Sequence, residues 1–313
     1  MMERIVFEFP HPDPPLQNAV LIAGLPGVGN IGKQVVEEVI RTYNLPVFST
    51  LYSHYFPPQC FVSNSRIELP SHKIYLLRRE QRKKGDMKGD IKGDVKETEL
   101  PEDGKTGMLL NLFRNTDIVL LTGNCQSVSS EGQYDIAHRI VSTLAKHGLI
   151  AVISIGGYGT GTPDRRRLLI TSTDEEKYTI LKELLAHMTD TDVGQPEDEE
   201  GGKDMAGGKA GEKKSDEIEQ SLTEIIGSAG LLPAVAPFYG IPGMCLMCTT
   251  LGVIADPLGA ATALKFLSHL LDMDVPVGNL VERGKELEKL EVELLKRAGQ
   301  QDEFKKEDVN YIF

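Results

Sequence analysis

The chain has 313 residues, 40% of them hydrophobic and 26% charged, an ordinary globular composition with room for one large domain or two modest ones. Its net charge of −12 opposes binding to nucleic-acid phosphates and to anionic membrane surfaces. No apolar run approaches the length that spans a bilayer, and four cysteines are too few for a disulfide framework at this size.

The first residues, Met1 to Phe9, alternate apolar and polar and predict a strand. They lack the charged-then-apolar build of a signal peptide, so a cytoplasmic location is expected. Residues 19–23 predict a buried strand, followed by a glycine-rich turn and a helix running through Ile40. Gly27, Gly29 and Gly32 fit G-x-G-x-x-G in the strand–turn–helix setting of dinucleotide-binding folds. Gly27, four residues and then Gly32-Lys33 nearly fit a P-loop. Each pattern breaks at one place. The expected second strand, 47–52, runs into Ser53-His54-Tyr55-Phe56-Pro57-Pro58 with no carboxylate for a ribose. Gln34 stands where a P-loop has the Ser or Thr that holds magnesium. The other reading is that these glycines permit a tight turn and close helix–strand packing.

Residues 83–105 repeat Lys-Gly-Asp three times, and glycine at every fourth position opposes a helix, so a solvated loop is expected. The cluster Arg78, Arg79, Arg82, Lys83 and Lys84 offers a basic docking patch, though acids interleave directly after it. A strand over 117–121 ends in Thr122-Gly123-Asn124-Cys125-Gln126, a helical pattern carries Ile136, Ile140 and Leu144, and a strand over 150–155 runs into Gly156 to Gly161. This alternation predicts a three-layer α/β/α sandwich around a mainly parallel sheet. Three strand ends then finish in small-residue loops, 24–29, 122–126 and 156–161, which in an open parallel sheet line one crevice. Gly24, Gly27, Gly29, Gly32, Lys33, Gly156, Gly157 and Gly159 are the candidate ligand loop. No acid/base pair accompanies them. His54, His72, His138 and His147 are scattered, and Ser127, Ser129 and Ser130 lack a nucleophile elbow, so no catalytic residue is assigned.

Residues 190–216 carry nine acids and four lysines (9 − 4, net −5) among many glycines, a composition that predicts disorder. Cys245 and Cys248 form C-x-x-C within an apolar segment, without the further ligands that zinc requires, and read as buried small hydrophobes. Asp256 before Pro257 predicts an N-cap and first helical residue, opening a helix to about Leu271. A second helix is expected from about Gly278 to Arg297, with Leu280, Leu287 and Leu294 spaced by seven. A polar stretch follows, and the chain ends Val309-Asn310-Tyr311-Ile312-Phe313. This apolar terminus reads equally as a docking peptide or as a tail folded onto its own domain.

Six segments together resemble the proteasome assembly chaperone 2 family in its archaeal form. They are 24–32, 122–126, 156–161, Gly230-Leu231-Leu232, 240–246 and Asp256-Pro257, and the resemblance covers roughly 17–296 apart from the two polar insertions, which are unusual for the family. It implies one α/β domain over 1–277 with insertions at 83–105 and 190–216, then a helix and exposed tail over 278–313. It also implies a non-enzymatic protein without cofactor or metal. The expected partners are proteasome core-particle subunits or the α-ring, together with copies of the chain itself. Relatives end in a hydrophobic residue, tyrosine and any residue, which enter pockets between α subunits. Here Tyr311, Ile312 and Phe313 would make that contact, but Tyr311 is third from the end rather than penultimate. The alternative is an α/β enzyme that binds a nucleotide or other small molecule at the glycine-rich loops.

Overall fold

The computed structural model describes residues 4–8, 16, 18–82, 104–160, 166–191, 222–252 and 254–290. The solvated loop expected at 83–105 therefore falls outside the described residues except for its last two positions, and most of the segment 190–216 does too. The terminal Tyr311, Ile312 and Phe313 and the helix beyond 290 also lie outside them.

The strands are β1 (Ile5–Glu8), β2 (Ala19–Ala23), β3 (Val47–Ser53), β4 (Phe61–Ser63), β5 (Arg66–Glu68), β6 (His72–Leu77), β7 (Ile118–Gly123), β8 (Leu149–Gly159), β9 (Leu168–Ser172) and β10 (Gly243–Thr250). The helices are α1 (Ile31–Thr42), α2 (Arg79–Arg82), α3 (Gly104–Arg114), α4 (Ser130–Ala145), α5 (Glu175–Thr191), α6 (Ser228–Val235), α7 (Pro257–Leu271) and α8, described over 278–290. Eight strands form one sheet in the order β1-β3-β6-β7-β2-β8-β10-β9, while β4 and β5 form a separate hairpin.

The sheet is mixed, which corrects the expectation of a mainly parallel one. Only β7, β2, β8 and β10 run parallel to one another. The pairs β1–β3, β3–β6, β6–β7 and β10–β9 are antiparallel. The cause is connectivity. A parallel neighbour needs a crossover that returns the chain to the starting edge. After β3 the chain instead makes the β4–β5 excursion and re-enters as β6 without crossing a face of the sheet.

Both faces of the centre are covered. In β2, Val20 and Ile22 pack with Ile31, Val35 and Val39 of α1, whereas Ala19, Leu21 and Ala23 pack with Ile136 and Ile140 of α4. The first cluster also takes in Phe113 of α3, Leu184 of α5, Leu264 and Leu267 of α7 and Leu280 of α8, and the second takes in Leu232 and Val235 of α6. Strands buried on both faces need apolar residues without alternation, which explains the continuous runs read from the sequence.

Two arginines are consumed by the fold. Arg78 Nη1 donates to Asp117 Oδ2 at 2.6 Å, and the Arg79 amide donates to Asp117 Oδ1 at 3.2 Å. Arg82 is buried and donates to the carbonyls of Leu271 and Thr116, and at 3.2 Å to that of Arg114. It thereby satisfies carbonyls at and just beyond the C-terminal ends of α7 and α3, which have no partner within their own helices. Arg78 and Arg82 of the expected basic patch are thus structural, Arg79 is exposed, and Lys83 and Lys84 lie outside the described residues.

At its first turn helix α1 also meets the sheet backbone to backbone. A Cβ on Gly24 would strike the Gly32 carbonyl, and one on Gly32 would strike the Ile155 carbonyl. Gly32→Ala gains about 1 kcal/mol of helix propensity but must push α1 off β8, a cost of about 1–3 kcal/mol or more. We expect it to lower the urea midpoint, whereas Gly27→Ala, which meets no atom within 4 Å, leaves it unchanged. His72 is fully buried, with Nε2 3.0 Å from the Cys125 carbonyl oxygen, and burial pushes its pKa down from 6.5 to about 4. As pH falls through this window the unfolded chain takes up a proton that the folded chain refuses. Stability is therefore lost between pH 6.5 and pH 4, by on the order of 3 kcal/mol. Urea midpoints of wild type should drop more across that range than those of His72→Gln.

Candidate functional site

The parallel strands all end on one edge of the sheet, and the glycine turn after β2 lies there. Gly27 enters it in an extended conformation, Gly29 has φ 61° and Asn30 has φ 50°. Glycine adopts such positive φ freely, and asparagine tolerates it better than most residues. The turn closes through the Asn30 amide, which donates to the Gly27 carbonyl at 2.9 Å. Gln34 reaches back and donates from Nε2 to the Gly29 carbonyl at 3.1 Å. Lys33 does not arch over the turn as a P-loop lysine would. Its ammonium pairs with Glu37 one helical turn along.

The stretch expected as a third loop is mostly strand. β8 continues through Gly159, in register with β10 from Gly156↔Met247 to Gly159↔Thr250. The reason is a second side-chain-free contact. The turn after β2 lies across this extension, and a Cβ on Gly157 would strike the Val28 carbonyl. Gly156 faces the Met247 side chain, and Gly159 is exposed at the strand's end. The glycines thus let two backbones touch. Turn and strand pack on each other where a crevice between them was expected.

The remaining openings are closed by polar bridges. Gln126 donates from Nε2 to the Pro26 carbonyl at 2.5 Å and accepts on Oε1 from the Ser228 amide at 3.0 Å. That one side chain links the ends of β2 and β7 to the start of α6. Asn124 Oδ1 accepts from the Ser71 amide at 3.0 Å. On the other flank Asp256 caps α7, accepting from the Gly259 amide at 2.9 Å, as its sequence position predicts. It also accepts from Thr250 Oγ1 at 2.7 Å and from Arg166 Nε at 2.8 and 3.0 Å, and its own amide donates to the Gly29 carbonyl at 2.8 Å. Burial opposes the Arg166 charge, but the Asp256 and Glu288 carboxylates outweigh it and raise its pKa. Arg166 Nη1 lies 2.9 Å from Glu288 Oε1, so the network reaches α8.

Cys245 and Cys248 lie three residues apart on β10, and their side chains fall on opposite faces of the sheet, one in a small outer cluster and the other in the main core. Burial pushes their pKa values up to about 11 and about 12, away from reactive thiolates. Among the described residues no group of His, Cys, Asp and Glu is arranged to hold a metal ion. His138 Nδ1 meets the Tyr239 hydroxyl at 3.0 Å on the surface of α4. A groove of about 610 Å³ lies between α1 and α8, lined by residues that include Glu37, Glu38, Arg41, Glu282, Arg283 and Glu286, and belongs to the helical layer.

The edge also presents apolar side chains. Val28 on the first turn, Val128 after β7 and Ile226 before α6 are exposed, as are Val62, Ile67 and Leu69 of the hairpin region. Val62 and Ile67 are cross-strand partners on one face of that hairpin, with Leu69 two residues on. The sequence reading missed this feature, although Arg66-Ile67-Glu68-Leu69 carries the alternation of a half-buried strand.

Comparison with known proteins gives this edge a context. A protein of Methanocaldococcus jannaschii described as uncharacterized is 28% identical over 306 residues, covering 95% of this chain and 93% of that protein. The fold is similar to that of Pyrococcus furiosus PbaB, described as an archaeal proteasome activator, with a TM-score of 0.67 and 23% identity over 94% of this chain and 99% of that one. It is also similar to Pyrococcus furiosus PbaA, described as an archaeal homolog of proteasome-assembly chaperone, with a TM-score of 0.59 and 21% identity over 97% of this chain and 96% of that one. No helix among the described residues is long and apolar enough to cross a membrane. The PAC2 family model matches residues 21–295, and the chain belongs to the PAC2 family.

Proposed function

We propose that this protein binds proteasome core-particle subunits, as free α-type subunits or as the assembled α-ring, and assists them without catalysis. The observation that carries the reading is the edge of the parallel strands. Gly24, Gly32 and Gly157 are engaged in backbone packing, and polar groups beside them are bonded to one another. The exposed side chains there include the aliphatic Val28, Val128 and Ile226, which suit a polypeptide surface. The fold shared with a proteasome activator and with a homolog of a proteasome-assembly chaperone supports the choice of partner. On this reading residues 1–277 are the body, 278–313 are the arm that presents Tyr311, Ile312 and Phe313, and the protein works in the cytoplasm as a homo-oligomer.

Affinity purification from the source cell should recover α-type subunits. Deleting Tyr311 to Phe313 should lower that recovery several-fold. An unchanged yield would move the contact from the tail to the body, and no recovery with either form would end the proposal. Calorimetric titration with ATP, NAD and free nucleosides should give no heat of binding. Micromolar affinity that is lost in Gly29→Val would instead favour the small-molecule reading.

A further inference from the structure

The groove between α1 and α8 encloses about 610 Å³, a volume within the range of small-molecule sites. Its lining is wholly polar, with the carboxylates Glu37, Glu38, Glu282 and Glu286 set against the guanidiniums of Arg41 and Arg283. Two of these carboxylates are held by the protein. Lys33 pairs with Glu37, and Arg41 donates from Nε to Glu38 Oε2 at 3.1 Å. Glu282 and Glu286 have no ion-pair partner among the described residues, and Arg283 reaches neither of them. They stand four apart on α8, a spacing at which like charges share a face and repel.

A second feature of the groove is an orphaned acceptor. Gln34 forms part of the wall and is only 8% exposed. Its Nε2 is committed to the Gly29 and Asn30 carbonyls at 3.1 and 3.4 Å, which fixes the orientation of the amide. Its Oε1 is buried and accepts no hydrogen bond. An acceptor left in that state is costly, so a donor that reaches it is favoured. Oε1 is therefore the polar atom that Gln34 has left to offer a ligand.

We propose that this groove binds a linear polyamine, an organic cation whose ammonium groups are separated along an alkyl chain. An anion would meet the excess of carboxylate. A divalent metal ion would need several oxygens converging within about 2.6 Å, and among the described residues no group of side chains is arranged to hold one. Separated carboxylates suit separated ammonium groups instead, since residues four apart are displaced by about 6 Å along a helix axis. Ammonium groups only donate, so they serve the free carboxylates and the Gln34 oxygen alike.

Calorimetric titration of the full chain with spermidine tests this. Wild type should bind with micromolar affinity. Glu282→Gln with Glu286→Gln, two exposed positions, should weaken binding at least about tenfold. Gln34→Met should weaken it several-fold, with folding verified by circular dichroism. Glu175→Gln with Glu183→Gln removes the same charge from exposed sites on α5 and should leave binding unchanged. No heat with wild type, full affinity in the α8 variant, or an equal loss in the α5 variant overturns the site. A blocked trilysine peptide that binds more tightly than spermidine overturns the polyamine in favour of lysine side chains from a polypeptide.

Discussion

The approach of α1 to the sheet without intervening side chains is the constraint on which the strand-end edge depends. With Gly24 against the Gly32 carbonyl and Gly32 against the Ile155 carbonyl, the first turn of the helix lies closer to β2 and β8 than any Cβ permits. The turn from Leu25 to Asn30 is then drawn over the end of β8, where Gly157 accepts the Val28 carbonyl in van der Waals contact. From there the Gly29 carbonyl reaches the amide of Asp256, so the capping residue of α7 is registered on the same turn. In dinucleotide-binding folds a similar glycine pattern lets a pyrophosphate approach the backbone. Here the group that approaches is another segment of the same chain.

Charge follows a matching division. Arg78, Arg82 and Arg166 are drawn into the fold, where they tie Asp117, the carbonyls at the ends of α3 and α7, and the Asp256–Glu288 pair. A buried ionic network of this kind is costly to break by removing one partner, because the other is left uncompensated.

Much of the architecture was legible. The strands β1, β2, β7 and β8, the helices α1, α4 and α7 and the Asp256 cap all follow from apolar period and capping chemistry. The antiparallel strands β6 and β9 were not. In β6, His72 and Lys73 begin the strand, and a buried histidine beside a lysine does not announce a core element. Strand β9 is short and helix α5 follows it closely, so neither shows a long clean period. The site was half legible. That the glycines cluster at strand ends was readable, but whether a glycine faces a ligand or a carbonyl of its own chain depends on residues as distant as Ile155 and Gly24, and no local spacing encodes that. The extension of β8 through Gly159 has the same origin, since four small residues read as a loop until a neighbour such as β10 supplies hydrogen bonds.

Arg82 has a further consequence. It is gripped by carbonyls from two helices at the point where the chain leaves the described body, and α3 resumes it at Gly104. The fold on either side is therefore secured without reference to what lies between. The entropy of closing such an interval grows only slowly with its length. An experimenter could therefore splice a fluorophore or an affinity handle between these two anchored ends while the sheet stays as it is.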